Sequence, residues 1–287
     1  MSNKMLLYVT QESIKKYNQN IGDMYETPLY KLLYLVQREL SNKGIDLKYP
    51  YYWYLYGPMM DVLDFSSQTG VDFNSRFHAS ENWKNQKKKI IRNPSIDMSF
   101  VPYQDELDVA IDIVMNSVDK KTPSQSLIRS AYESAPYSFQ RNFKHFDELI
   151  YYGDFETSQD IFYNLIMDFP KIDFEDVYYL FLEWQSATEL AFDIEKYDVI
   201  RKLNTHFWHA FCCKLSNKQN QHLSDFSLRR IKSNSDRLYS DEERMLYETS
   251  ESLHCTLNVS DFSEQTHKDV AMLNKLMLED FFEERSD

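Results

Sequence analysis

The chain has 287 residues, a formal net charge of −13 and only five glycines, at positions 22, 44, 57, 70 and 153. A chain of this length and average composition carries about 20 glycines, and phosphate-cradling loops need several within ten residues. No G-x-G-x-x-G, G-x-x-x-x-G-K-S/T or G-x-S-x-G run occurs, which excludes Rossmann dehydrogenases, P-loop ATPases and α/β-hydrolases, while the acidic balance opposes non-specific binding to nucleic-acid phosphates.

In chain order, the apolar stretch Met5 to Val9 is too short for a signal-peptide core, and a first helix is expected over about 10–20 with Thr10 as its cap. Thr27-Pro28 then reads as a helix start, since Pro28 wastes no donor at the first helical position. Leu29, Leu32, Leu33, Val36 and Leu40 recur at helical spacing, and Gly44 supplies a left-handed residue beyond the end, so a helix is predicted over 28–43. The aromatic run Tyr51 to Tyr56 stops at Gly57-Pro58, where another helix is expected to open over 58–68. The run reads either as a buried strand packed on Leu32, Leu33 and Val36 or as a partner-binding ledge. Alternation on a strand lets both hold, with Trp53 inward and Tyr52 or Tyr54 outward.

These residues resemble the Panacea domain, the family of SocA-like antitoxins. The match rests on Lys31, Leu32, Leu33, Tyr34 and Gln37 on the first helix, on Trp53, and on Tyr56, Gly57 and Pro58. A helical hairpin over 105–137 continues it, so that roughly 22–146 is covered; Val36 stands where a small residue is usual, and Met59-Met60 replaces a Val-x pair. The resemblance implies a helical domain that binds and restrains a protein partner, a toxin or a defence effector subunit, in bacterial toxin–antitoxin or anti-phage operons. Its partner-binding residues are expected to be Tyr52, Trp53, Tyr54, Tyr56, Gly57 and Pro58.

Residues 71–102 are polar, with Lys87-Ile91 as a strand candidate in a hairpin or ordered loop; Lys87, Lys88 and Lys89 could contact phosphate or an acidic partner, or protect a strand edge. Helices are expected over 103–118 and 123–134. A helix-turn-helix regulator reading would place Ser124, Gln125 and Arg129 in a DNA groove, although Asp105, Glu106, Asp108 and Asp112 oppose it. A composition change near 150–157 suggests a division into a Panacea-like domain, 1–150, and a helical C-terminal region, 151–287. The last 117 residues, from Lys171 onward, hold neither glycine nor proline, and turns favour both, so long helices are expected over 157–168, 173–218 (broken once near 202–204), 222–236, 240–256 and 260–284.

His206, His209 and Cys213 lie three and four residues apart on one expected helix face, and His222, His254 or Cys255 could complete a metal set, which gives an alternative reading as a metal-dependent hydrolase or nuclease. The opposing reading is an apolar core made by Phe207, Trp208, Phe211, Cys212 and Cys213. Carboxylates such as Glu183, Glu189 and Asp193 form no recognisable catalytic arrangement. Three cysteines cannot form a disulfide framework, and the longest later apolar run, Val177 to Leu182, is far below a membrane span. The expectation is a mainly α, cytoplasmic, non-enzymatic interaction protein that needs no cofactor or metal.

Overall fold

The computed structural model describes residues 2–70 and 100–256. Among them are ten α-helices and one three-stranded antiparallel sheet, so the fold is mainly α. Lys87, Lys88, Lys89, the strand candidate containing them and the helix expected over 260–284 lie outside the described residues.

Helix α1 (Ser2–Asn20) starts earlier than expected. Thr10 sits inside it, its hydroxyl donating to the Leu6 carbonyl at 2.7 Å, so it is no cap. Helix α2 (Glu26–Ser41) is entered from Tyr25, two residues before the expected Thr27 start, and Pro28 is still within its first turn, where no intrahelical donor is needed. Its Leu29, Leu32, Leu33, Val36 and Leu40 are all fully buried.

The aromatic run forms β1 (Tyr51–Tyr54), and Gly57-Pro58 opens a strand, β2 (Gly57–Met60), rather than a helix. Tyr54 faces Gly57 and Tyr51 faces Met60 across the pair. The two-residue loop Leu55–Tyr56 contains no left-handed residue, and that conformation falls on Gly57 instead, at φ +89°. Proline is tolerated because β2 is an edge strand, the sheet order being β2-β1-β3. Helix α3 (Val62–Thr69) follows, with the Asp61 carboxylate accepting from the Asp64 amide as its cap.

Helices α4 (Gln104–Ser117) and α5 (Pro123–Glu133) match expectation, whereas α6 (Ser138–Tyr152) was not foreseen. Its Phe139, Phe143, Phe146 and Ile150 recur every three or four residues and are fully buried. Burying each such side chain contributes about 1.5–3 kcal/mol. They pack with Trp184, Phe207, Trp208 and Phe211; Phe143 stacks on Trp208 with ring centroids 4.8 Å apart.

After α7 (Phe155–Met167), the long segment breaks between α8 (Tyr178–Asp193) and α9 (Tyr197–Lys218), earlier than expected. With no glycine there, Glu195 takes the left-handed angle, φ +55°, and the Lys196 amide donates back to the Ala191 carbonyl. Strand β3 (Asn220–Gln221) adds to β1. The two helices expected over 222–236 and 240–256 are one, α10 (Asp225–Thr256), packed on α9 and α8. One hydrophobic cluster runs from Met5 to Leu253 and crosses the 150/151 division, which itself falls in the last turn of α6. No helix among the described residues is long and apolar enough to cross a membrane.

Candidate partner-binding cleft

The residues behind the family resemblance meet at one junction. Lys31 is fully buried on α2 and its ammonium nitrogen donates to the Pro58 carbonyl at 2.7 Å, with Met59 Sδ at 3.9 Å. Desolvation holds its pKa down at about 7, with no charged neighbour contributing. Tyr34 packs edge-on against Tyr51 and Trp53, with centroids 5.0 and 5.8 Å away. One turn on, Arg38 donates to the Ser134 carbonyl at 2.6 Å, tying α2 to the end of α5. Gln37 accepts from the Leu47 amide at 2.9 Å and donates to Ser41 at 2.8 Å, fixing the chain that leads into β1. Lys31, Arg38 and Gln37 therefore each secure α2 to a different segment.

That junction aims the hairpin tip. The Leu55 carbonyl accepts from two sides, the Tyr132 hydroxyl of α5 at 3.0 Å and Trp208 Nε1 of α9 at 2.9 Å. Held this way, Tyr56 projects with 61% of its surface exposed. It stands at the rim of a cleft of about 470 Å³ between α5 and α6, whose walls include Tyr132, Arg129, Arg141, Lys144 and Tyr152. Tyr152 is 76% exposed. The Lys144 ammonium lies 5.0 Å from the Trp208 ring centre and 3.6 Å from Asp147, so it is partly neutralised. Behind it, Trp184 donates to Asn204 at 3.1 Å and Asn204 to Asp147 at 3.3 Å, which anchors the cleft floor to the core.

Of the six residues expected at a partner surface, the structure exposes only Tyr56. Trp53 is 1% exposed, and Gly57 and Pro58 are buried as well, so these three stand behind the surface. A Cβ at Gly57 would make only ordinary contacts, 3.6 Å from the Trp53 ring and 3.8 Å from both Lys31 and Tyr132, so the left-handed angle rather than space constrains this position. Tyr52 and Tyr54 point to the other face of β1 but are half-buried beneath α10, not free on a ledge. Sequence reasoning missed Tyr132, Tyr152 and the polar face of α6; the phenylalanine periodicity of 139, 143 and 146 was the available signal.

His206 and His209 do share one helix face, but they converge on a carboxylate. Their Nδ1 atoms lie 2.7 and 2.9 Å from the two oxygens of Glu242 on α10, so both Nδ1 atoms carry hydrogen. Cys213 and Cys212 point into the core instead, and burial raises the Cys213 thiol to about 12 and holds the Cys212 thiol well above its ordinary value. Among the expected additional ligands, His222 pairs with Asp46 at 3.1 Å. Among the described residues no group of three or more His, Cys, Asp or Glu is arranged to hold a metal ion. In the 103–134 pair, Gln125 and Arg129 line the cleft, and the acidic face of α4 is partly engaged by α1 through Tyr8 to Asp108 at 2.9 Å and Lys16 to Asp112 at 2.6 Å.

No family model, curated protein or solved structure matches this chain.

Proposed function

We propose that the protein is a non-enzymatic interaction module, an antitoxin-like or accessory subunit that binds and restrains or scaffolds an effector in a bacterial toxin–antitoxin or anti-phage complex. The observation that carries this reading is the clamped hairpin tip, whose carbonyl takes two hydrogen bonds while the adjacent Tyr56 ring stays exposed beside an open cleft. A rigidly presented tyrosine gives large contact area at small entropic cost, which is what an interface anchor needs. Its cleft mixes exposed aromatic rings with Arg129 and Arg141 and with Glu133 and Glu148, a composition suited to a protein surface. The defence context rests on the resemblance of Lys31, Trp53, Gly57 and Pro58 to the Panacea motifs.

Co-expression with untagged genomic neighbours tests the reading. A neighbouring protein should co-purify with tagged chain, and Tyr56→Ala should weaken that association by about 1–3 kcal/mol without lowering the melting temperature. With a charge of −13 meeting a basic partner surface, association should also slow as salt rises. Capture that is unchanged by Tyr56→Ala combined with Tyr152→Ala would reject the cleft as the interface.

A further inference from the structure

The outer face of β1 leads to a second cavity, distinct from the cleft and independent of the reading above. Tyr52 and Tyr54 point away from Trp53 and meet α9 and α10 across a space of about 240 Å³. Arg230, Asn234 and Arg237 line it from α10, at the i, i+4, i+7 spacing that places them in one row on the helix. Its floor is the buried hydroxyl pair Ser216–Ser235, with oxygens 3.0 Å apart.

The start of α10 is locked in place beside this cavity. Asp64 accepts from the Ser224 amide at 2.6 Å and the Ser224 hydroxyl at 2.7 Å, while the fully buried Asp61 accepts from Ser227 at 3.1 Å and holds Arg230 Nη2. The bond to Asp61 engages one nitrogen of Arg230. Arg237 has no carboxylate partner among the described residues, and neither do the hydroxyls of Tyr52 and Tyr54. Arg230, Asn234 and Arg237 are solvent-exposed, so the site opens to the surface, and among the described residues no carboxylate lines it, the nearest being Asp61 behind Arg230.

We propose that this cavity is a binding site for a small tetrahedral oxyanion, phosphate itself or the phosphate of a small monoester. Two guanidinium groups, two phenol hydroxyls and the Asn234 amide bring donors from the strand on one side and the helix on the other. A carboxylate has two oxygens to offer, whereas a phosphate has enough to meet donors converging from both walls. The volume, about 240 Å³, is enough for a phosphate with a few further atoms. Guanidinium forks are suited to phosphate geometry, and the phenol rings exclude water from one side.

The test uses the full chain with inorganic phosphate and glycerol 3-phosphate as probes, at fixed pH and at constant ionic strength maintained with sodium chloride. Melting temperature should rise saturably with one or both probes, and the phosphorus resonance of the probe should broaden on adding protein. A larger response to inorganic phosphate assigns the free ion, and a larger response to glycerol 3-phosphate assigns the ester. Arg237→Gln should weaken either response about tenfold or more, as expected for loss of a charge-assisted hydrogen bond. Tyr54→Phe should weaken it without unfolding the protein. Arg229→Gln, on the same helix but outside the cavity, should leave it unchanged. A melting temperature that follows ionic strength alone overturns the proposal, as does an undiminished phosphate response in Arg237→Gln.

Discussion

Replacing Lys31 by methionine should stabilise the protein at neutral pH, and the gain should disappear in mild alkali. The buried amine has a pKa of about 7 against 10.5 when exposed. In the unfolded chain the lysine keeps its proton up to about pH 10.5, whereas the folded protein releases it above about pH 7. Between those values the unfolded state binds more protons, so wild-type stability rises with pH; below pH 7 both states are charged and the full penalty persists. At 1.36 kcal/mol per pKa unit the burial cost is about 4 kcal/mol at pH 7 and falls to about 1.5 kcal/mol at pH 9.5. Methionine keeps the packing of the stem but abandons the Pro58 carbonyl, a loss of about 1–3 kcal/mol. Lys31→Met should therefore exceed wild type by about 1–3 kcal/mol at pH 7 and equal it or fall below it at pH 9.5. Urea unfolding of both proteins across that range measures the difference directly, because every other titrating group cancels in the comparison. A difference independent of pH, or one that grows with alkali, would refute the idea that an uncompensated amine is buried at this junction.

Gly57→Ala should cost about 1–2 kcal/mol of stability through the left-handed backbone angle alone, since a Cβ there meets only ordinary contacts; an unchanged urea midpoint would contradict this. Trp53→Ala should cost about 3–5 kcal/mol as a core truncation, read by the same unfolding curve, unlike the surface change at Tyr56. Native protein should show one fast-reacting thiol among the described residues, Cys255, since Cys212 and Cys213 are buried and held as thiols; rapid labelling of Cys213, mapped by mass spectrometry, would show that α9 opens readily. Glu242→Gln should lower stability by removing the charged acceptor shared by His206 and His209, and an unaltered melting temperature would show that this link between α9 and α10 contributes nothing.

The helical class was legible because scarcity of glycine and proline is a property of the whole chain and depends on no local detail. Helix α2 was legible from Leu29, Leu32, Leu33, Val36 and Leu40, whose spacing is itself the burial pattern. Its exact start was not, because Thr27-Pro28 carries a cap signal that the chain overrides by entering from Tyr25. Gly57-Pro58 pointed to a helix for a similar reason: proline is compatible both with a first helical turn and with an edge strand, and only the pairing with Trp53 and Tyr54 decides between them. The break in the 173–218 segment was legible but expected too late, near 202–204, because at its true place a glutamate, Glu195, takes the angle usually reserved for glycine. The candidate cleft was half visible. Tyr56 was named, but its neighbours Tyr132, Lys144 and Tyr152 come from α5 and α6, and no local pattern announces a contact across so many residues. The partner of His206 and His209 was likewise out of sight, being Glu242 on another helix.

The hydrogen bonds of the hairpin have a consequence for cutting the chain in two. The Trp53 amide donates to Gln219, the Leu55 carbonyl needs Trp208 as well as Tyr132, and Asp61 relies on Ser227 and Arg230. A fragment ending at residue 150 would retain every residue of the family resemblance yet strand these groups, with a buried carboxylate among them that costs about 3–5 kcal/mol when its partner is removed. The N-terminal half is thus not a portable unit: its hairpin tip takes its shape from sequence more than 150 residues downstream. Two fragments made separately should remain poorly folded and recover the native hairpin only when mixed.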